Sequence, residues 1–336
     1  ALGFDLVGIT DASPVHGEQV NRLLGWLDAG YAGQMTWLHS NLEKRVHPAK
    51  LLPGAKSVVV VGLNYKTPGQ KTLLRPKGYA GQAEDRGPRV ASSFANAMED
   101  GKATQGMQKT ASMGRVTAFA QYDDYHPFTK KILRQLADFI TSMTCPSMKF
   151  KICVDSTPLL ERALGVRAGL GIIGKNRMLI NPRLGPQILL GEIVTNLELD
   201  PDKPMTESCP GCGKCVAACP TGALKPDGSF DATKCISYLT IEASTDIPAD
   251  LAPKIGNHLF GCGECLLACP YQQNAPPCAN KEFVFHPDRA NLDLNEVLNL
   301  TEDEFHARFA HSPILRPGLA HLKKIAAICL GNLSNS

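Results

Sequence analysis

Seven of the twelve cysteines stand in two short runs, and an eighth lies between them. The first run, Cys209-Pro-Gly-Cys212-Gly-Lys-Cys215-Val-Ala-Ala-Cys219-Pro220, reads C-x2-C-x2-C-x3-C-P. Thiolates this close together on one turn of chain can wrap an iron–sulfur cube, and the spacing is that of a bacterial 4Fe-4S ferredoxin. The second run, Cys262-Gly-Glu-Cys265-Leu-Leu-Ala-Cys269-Pro270, lacks its first cysteine because Leu259 stands there; Cys235 makes up the count. In two-cluster ferredoxins the fourth cysteine of a run ligates the other cluster. The expectation is Cys209, Cys212, Cys215 and Cys269 on one 4Fe-4S cluster, with Cys262, Cys265, Cys219 and Cys235 on a second. Zinc sites usually pair two C-x2-C hooks across a longer spacer and match less well; a disulfide framework matches least. Cys145, Cys153, Cys278 and Cys329 read as plain thiols.

The elements that must position these ligands follow from hydrophobic pattern. Phe4–Ile9 reads as a strand, Val20–Ala29 as a helix closed by Gly30, and Ser57-Val-Val-Val-Val-Gly62 as a strand buried on both faces. Gln70–Gly114 has no clear period and is expected to be a long surface loop. Pro127–Thr141 has helical spacing, with Ile132, Leu133, Leu136, Phe139 and Ile140 inward. Phe150–Val154, Met178–Ile180 and Ile188–Val194 read as strands, and Pro158–Ala168 as a helix with Pro158 in its first turn. Alternating strands and helices make residues 1–200 an α/β domain, 201–280 the ferredoxin-type module, and 281–336 packed helices at Leu294–Leu298, Glu302–Phe309 and Leu319–Leu330. Gly169-Leu-Gly-Ile-Ile-Gly-Lys-Asn176 matches both G-x-G-x-x-G and G-x4-G-K, but a helix precedes it and a strand follows, the reverse of a nucleotide loop. Its glycines still allow a close backbone approach.

Composition sets bounds. The 336 residues, 43% hydrophobic, suit two or three domains. No apolar run approaches the roughly 18 residues that span a membrane, and the first residues lack a signal peptide's charged start. Oxygen-sensitive clusters and reduced thiols point to the cytoplasm. The formal charge is +3, and two four-thiolate clusters at about −2 each would bring it to about −1. Any nucleic-acid surface is then a local patch. Two clusters form an electron wire, and a wire needs a terminal acceptor. No flavin, haem or nicotinamide signature stands out, and the D-x-H-x-x-G cobalt-ligand loop is missing from the sequence.

The chain nevertheless resembles the epoxyqueuosine reductase family along nearly its whole length. The likeness lies in Gly8-Ile-Thr-Asp11, Leu51-Leu-Pro-Gly-Ala55, Asp124-Tyr-His126, Val154-Asp-Ser-Thr-Pro158, Glu161-Arg162, Ala168-Gly-Leu-Gly171, Gly174-Lys175, Gly191-Glu192, and Cys235-Ile-Ser-Tyr-Leu-Thr-Ile-Glu242, together with the cysteine spacings. The resemblance implies an α/β N-terminal cobalamin-binding domain, a ferredoxin-like double 4Fe-4S module and a short all-α HEAT-like C-terminal region. It implies reduction of the epoxide of epoxyqueuosine in tRNA, with cobalamin reduced through the two clusters. The implied partners are the anticodon loop of a queuosine-family tRNA and an external low-potential electron donor, with no membrane, for a monomer.

By the same resemblance the proton donor is Asp155, which also reads as a helix cap before Pro158. A helix start would stabilise its carboxylate, whereas burial beside a large apolar cofactor would raise its pKa. Cobalamin contacts fall on Ser40, Thr117, Asp155, Leu179 and Glu242, and tRNA contacts on Tyr238, Thr240, Arg316, Lys323 and Lys324. Tyr125 and His126 begin a helix and are further site candidates. Four features depart from the family. His39-Ser40 stands where Glu-Arg is common, and Thr117-Ala118-Phe119 replaces Ser-Arg-Tyr. Ile325 replaces an asparagine, and the 70–114 segment is long. An electron-transfer protein without cobalamin, a cobalamin reductase of another small substrate and an inactive tRNA-binding module are the competing readings.

Overall fold

The structure is a computed structural model that describes residues 2–70, 112–144 and 147–334. Its N-terminal part holds β1 (Leu6–Asp11), α1 (Glu18–Asp28), α2 (Leu42–Val46), β2 (Ser57–Asn64), β3 (Met113–Val116), α3 (Tyr125–Met143), β4 (Phe150–Cys153), α4 (Glu161–Arg167), β5 (Ile172–Ile173), β6 (Leu179–Ile180) and β7 (Ile188–Thr195). The main sheet runs β1-β2-β7-β4. Every pairing in it is antiparallel, so the alternation of strands and helices does not produce parallel crossovers here.

β2 lies inside this sheet with every residue buried, as its unbroken valine run requires. Val58 and Val60 face a core shared with Leu164, Leu190 and Val194, under α4. Val59 and Val61 face Leu133, Ala137 and Ile193, under α3. Gly191 lets α3 approach, since a Cβ there would lie 2.9 Å from both Leu133 and Thr129.

After the sheet come α5 (Lys214–Ala217), α6 (Ile236–Ile241), β8 (His258–Phe260), α7 (Glu264–Leu267), α8 (Pro270–Gln273), β9 (Asn291–Asp293), α9 (Leu294–Asn299), α10 (Glu302–Phe309) and α11 (Gly318–Ser334). A second sheet, β8-β3-β9, joins three distant stretches of chain: β3 pairs parallel with β8 and antiparallel with β9. Leu259, which stands where the second run would have its first cysteine, is a core residue of β8. It packs where a Cβ on Gly114 would come within 2.8 Å. Ile325 sits in the same core beside Leu322, Phe305 and Phe309.

Three sequence expectations change. Met113 and Gly114 belong to β3 rather than to a loop, because strands 140 and more residues away supply its partners; residues 71–111 of that expected loop lie outside the described residues, as does Cys145. Phe139 is 60% exposed, on the side of α3 turned from the sheet. α4 begins at Glu161, not at Pro158, because tight bonds from Ser156 N to Val154 O (2.6 Å) and Leu159 N to Thr157 O (2.8 Å) hold that stretch in turns.

Candidate active site and cluster module

The two cysteine runs fold alike. Each passes through a left-handed glycine, Gly213 (φ 70°) or Gly263 (φ 82°), into the one-turn helix α5 or α7. The thiols then separate into two sets. Cys209, Cys212, Cys215 and Cys269 line one cavity with Ile180 and Tyr271. Burial raises the Cys269 pKa, and the charges of Cys215, Cys212 and Cys209 raise it further. Burial likewise pushes Cys262 up to about 12, with Cys235 and Cys219 adding to it. Cys265 rises well above the ordinary thiol value through burial and then Cys235, Cys262 and Cys219. Crowded, buried thiolates repel one another unless cations lie between them, and iron would reverse these shifts. Among the described residues no three of His, Cys, Asp or Glu converge on a single metal ion.

A chain of acid–base groups crosses the end of the main sheet. Asp124 caps α3 by accepting from His126 N (2.9 Å), and its Oδ1 also takes His126 Nδ1 at 2.7 Å. His126 Nε2 meets Asp155 Oδ2 at 3.1 Å. The Tyr125 ring stacks on His126 with centroids 4.1 Å apart, and its hydroxyl also bonds Asp155. Asp155 has a left-handed backbone (φ 48°), and its N–H donates to Glu161 Oε1 at 2.6 Å. Glu192 lies behind Glu161, fully buried on β7.

Electrostatics divides the roles. Burial pushes Asp155 up, but hydrogen bonds and charge from His126, the charge of Arg316 and the Tyr125 hydroxyl hold it below the ordinary carboxylate range. Burial pulls His126 down, but Asp124 and Asp155 overcome it and raise the imidazole to about 9. Histidine therefore holds the proton at neutral pH and Asp155 is a carboxylate. Solvent reaches 47% of the Asp155 side chain. Asp155 does not cap α4 either: Leu160 stands at that position, with no side-chain cap bond.

The other expected contacts are dispersed. Ser40 donates to the Trp37 carbonyl at 2.9 Å. Thr117 packs where a Cβ on Gly261 would come within 2.5 Å, so it touches the second cysteine run. Leu179 is 2% exposed, under Gly165 of α4. Glu242 ends α6 and is held by Arg316 through two contacts of 3.0 Å. Tyr238 and Thr240, expected at the tRNA, are both buried in this chain. The Tyr238 hydroxyl accepts Gln34 N at 2.8 Å, and the Thr240 hydroxyl accepts Gly261 N at 2.9 Å, so both side chains are committed to the interior. Lys324 pairs with Asp246 at 2.6 Å, and Lys323 lies near Glu304.

Sequence reasoning gave no role to Arg45, Asp124, Glu161 or Glu192. Arg45 donates to the same Trp37 carbonyl at 3.1 Å, which brings a guanidinium to the corner where His39-Ser40 offers none. Its Nε is buried without a partner, and its charge faces Glu161. Glu192 did carry a signal, as a lone carboxylate in the apolar strand Ile188–Thr195.

Paired cysteine sets beside a protonated acid–base array define an iron–sulfur oxidoreductase. Residues 208–272 match the 4Fe-4S double cluster binding domain, and residues 45–156 match the domain described as Epoxyqueuosine reductase QueG, DUF1730. The chain is 35% identical to the epoxyqueuosine reductase of Pseudomonas aeruginosa, over 98% of this chain and 82% of the relative. An epoxyqueuosine reductase solved with an epoxyqueuosine-modified tRNA-Tyr stem loop is 29% identical, with a TM-score of 0.81 over 100% of this chain and 79% of that one. The Bacillus subtilis enzyme, solved with its catalytic aspartate loop swung out of the active site, is 28% identical with a TM-score of 0.81, over 100% and 79%. The chain belongs to the epoxyqueuosine reductase family.

Proposed function

We propose that this chain reduces the epoxide of epoxyqueuosine, in the anticodon loop of tRNA, to the alkene of queuosine. Family membership and the tRNA-bound relative support the substrate. The two thiol sets fit two 4Fe-4S clusters with the crossed ligands Cys209, Cys212, Cys215 and Cys269, and Cys262, Cys265, Cys219 and Cys235. The unpartnered Arg45 Nε fits a group rich in acceptors, as cobalamin's amide-bearing rim is; leaving such a donor unsatisfied costs about 1–3 kcal/mol. Bound cobalamin would supply the reducing metal at this site, and the cysteine sets would hold clusters able to carry electrons from an external low-potential donor. Residues 1–200, 201–280 and 281–336 are read as the cobalamin domain, the cluster module and a HEAT-like region of a cytoplasmic monomer.

The chain's own residues manage protons. Removing an epoxide oxygen as water consumes two electrons and two protons. His126 stores a proton at Nε2 and shares it with Asp155 Oδ2 across 3.1 Å. Asp155 takes that proton from His126 and passes it to the departing oxygen; solvent, which reaches the Asp155 side chain, reprotonates His126, and a second passage along the same relay completes the water molecule. Arg316, on the C-terminal side, approaches the same carboxylate and, with Lys323 and Lys324, forms the basic set for RNA phosphate.

The observation that carries this reading is the His126 imidazole held between Asp124 at 2.7 Å and the exposed Asp155 carboxylate at 3.1 Å. Asp155→Asn keeps the size and a hydrogen-bond donor but cannot relay a proton. Single-turnover reduction of epoxyqueuosine-tRNA should fall by about 10²–10⁴, with cluster and cobalamin spectra unchanged. Near-wild-type turnover with intact spectra would remove Asp155 as the donor.

A further inference from the structure

Glu192 is a carboxyl group that the scheme above does not use. It is fully buried, in register with Val60 on one side and Cys153 on the other. Neither of its oxygens meets a donor. Its polar neighbour is the Glu161 carboxyl, and two ionised carboxylates offer only acceptors. A proton held between them resolves the conflict: one acid donates to the other, and neither is left as an isolated buried charge. The remaining Glu161 oxygen, Oε1, accepts the Asp155 N–H at 2.6 Å. Asp155 needs that restraint, because its φ of 48° is uncommon for a side chain with a Cβ.

We propose that Glu192 and Glu161 form a proton-sharing carboxyl pair that positions Asp155. Glu192 fixes the Glu161 carboxyl, and Glu161 fixes the left-handed turn that aims the Asp155 carboxylate at His126. The pair touches neither substrate nor cofactor in this role; both are positioning residues. The inference rests on the reading of Asp155 as the proton relay, though the geometry of the latch does not depend on it.

Burial raises both acids, and the charge of each on the other, with that of Asp155, raises them further. The groups facing Glu161 are Asp155, Arg162 and His126, with Arg45 from α2, Tyr125 from α3 and Cys153 from β4. In alkaline solution the pair loses its proton and the two carboxylates repel, so the grip on the Asp155 amide weakens.

The test is hydrogen exchange at the Asp155 amide in the cluster-loaded protein, with protection measured across pH, beside the single-turnover rate and tRNA affinity. Glu161→Ala should lower Asp155 protection about tenfold, the scale of one hydrogen bond to a charged acceptor. Glu161→Gln keeps an acceptor and should restore protection. Glu192→Gln supplies a permanent donor; it should keep protection at neutral pH and abolish the alkaline loss. Loss of positioning should lower the single-turnover rate of Glu161→Ala while leaving tRNA affinity unchanged. Unaltered Asp155 protection in Glu161→Ala, or an alkaline loss that persists in Glu192→Gln, overturns the proposal. Normal turnover in Asp155→Asn with lost protection in Glu161→Ala would refute the relay and leave the latch standing.

Discussion

His126 carries the proton that Asp155 does not, and this sets a pH window. The imidazole pKa of about 9 lies above its ordinary 6.5. The stability its bonds add is therefore complete below about 6.5 and is lost as pH rises through about 9. Asp124 and Asp155 run the other way. Both lie below the ordinary 3.8, so their contribution is present above that value and is lost as pH falls through the depressed one. The single-turnover rate should accordingly show a limb that declines above about pH 9 with the loss of the His126 proton, beside the alkaline loss that the Glu161–Glu192 pair contributes. His126→Gln should slow the reaction at neutral pH and remove that limb. A limb of the same midpoint in His126→Gln would assign it to a different group.

At the scale of elements, close backbone approach explains motifs that resemble cofactor loops. The glycines of 169–176 admit the chain itself. A Cβ on Gly169 would lie 2.6 Å from the Lys203 carbonyl oxygen, and one on Gly171 would meet the Ile180 carbonyl. The lysine of that segment, Lys175, donates to the Pro226 carbonyl at 3.1 Å. Gly8 does the same for β1, where a Cβ would be driven into the Ala168 carbonyl oxygen just past α4. Backbone cannot yield as a side-chain tip can. Gly8→Ala should therefore destabilise by about 2–4 kcal/mol, read as a lower urea midpoint by circular dichroism. An unchanged midpoint would mean that β1 and α4 can separate without cost.

At the scale of the whole molecule, α6 links the second cysteine set to the C-terminal helices. Cys235 stands at its start, and Glu242 at its end holds Arg316. Cys235→Ala should lower iron from about eight to about four per chain, the loss of one cluster of two. Iron near eight would exclude Cys235 as a ligand. The basic set is largely answered by acids, Arg316 by Glu242 and Lys324 by Asp246. Affinity for the modified anticodon stem-loop should then fall with salt at a shallow slope, from about one to three phosphate contacts. A slope as steep as ten would require a basic surface beyond this set.

Some of this was legible before folding. Spacers of two or three residues fold each cysteine run onto one turn, so short-range geometry marks it as a cluster loop, while the crossed pairing and the use of Cys235 are what we propose from the same rule. The valine run announced β2 because a strand enclosed on both faces has no polar alternation to keep. The nucleotide-loop decoy failed on local order alone, with a helix before it and a strand after. The rest depends on contacts between residues far apart in the chain. Asp155 and His126 are 29 residues apart, and only the packing of β4 beside α3 makes one a carboxylate and the other a proton store. Tyr238 and Thr240 face inward because Gln34 and Gly261 claim their hydroxyls. Glu192 meets Glu161 because β7 runs beneath α4. A pKa is set by desolvation and by neighbouring charge, and both are properties of the assembled fold rather than of any stretch of sequence.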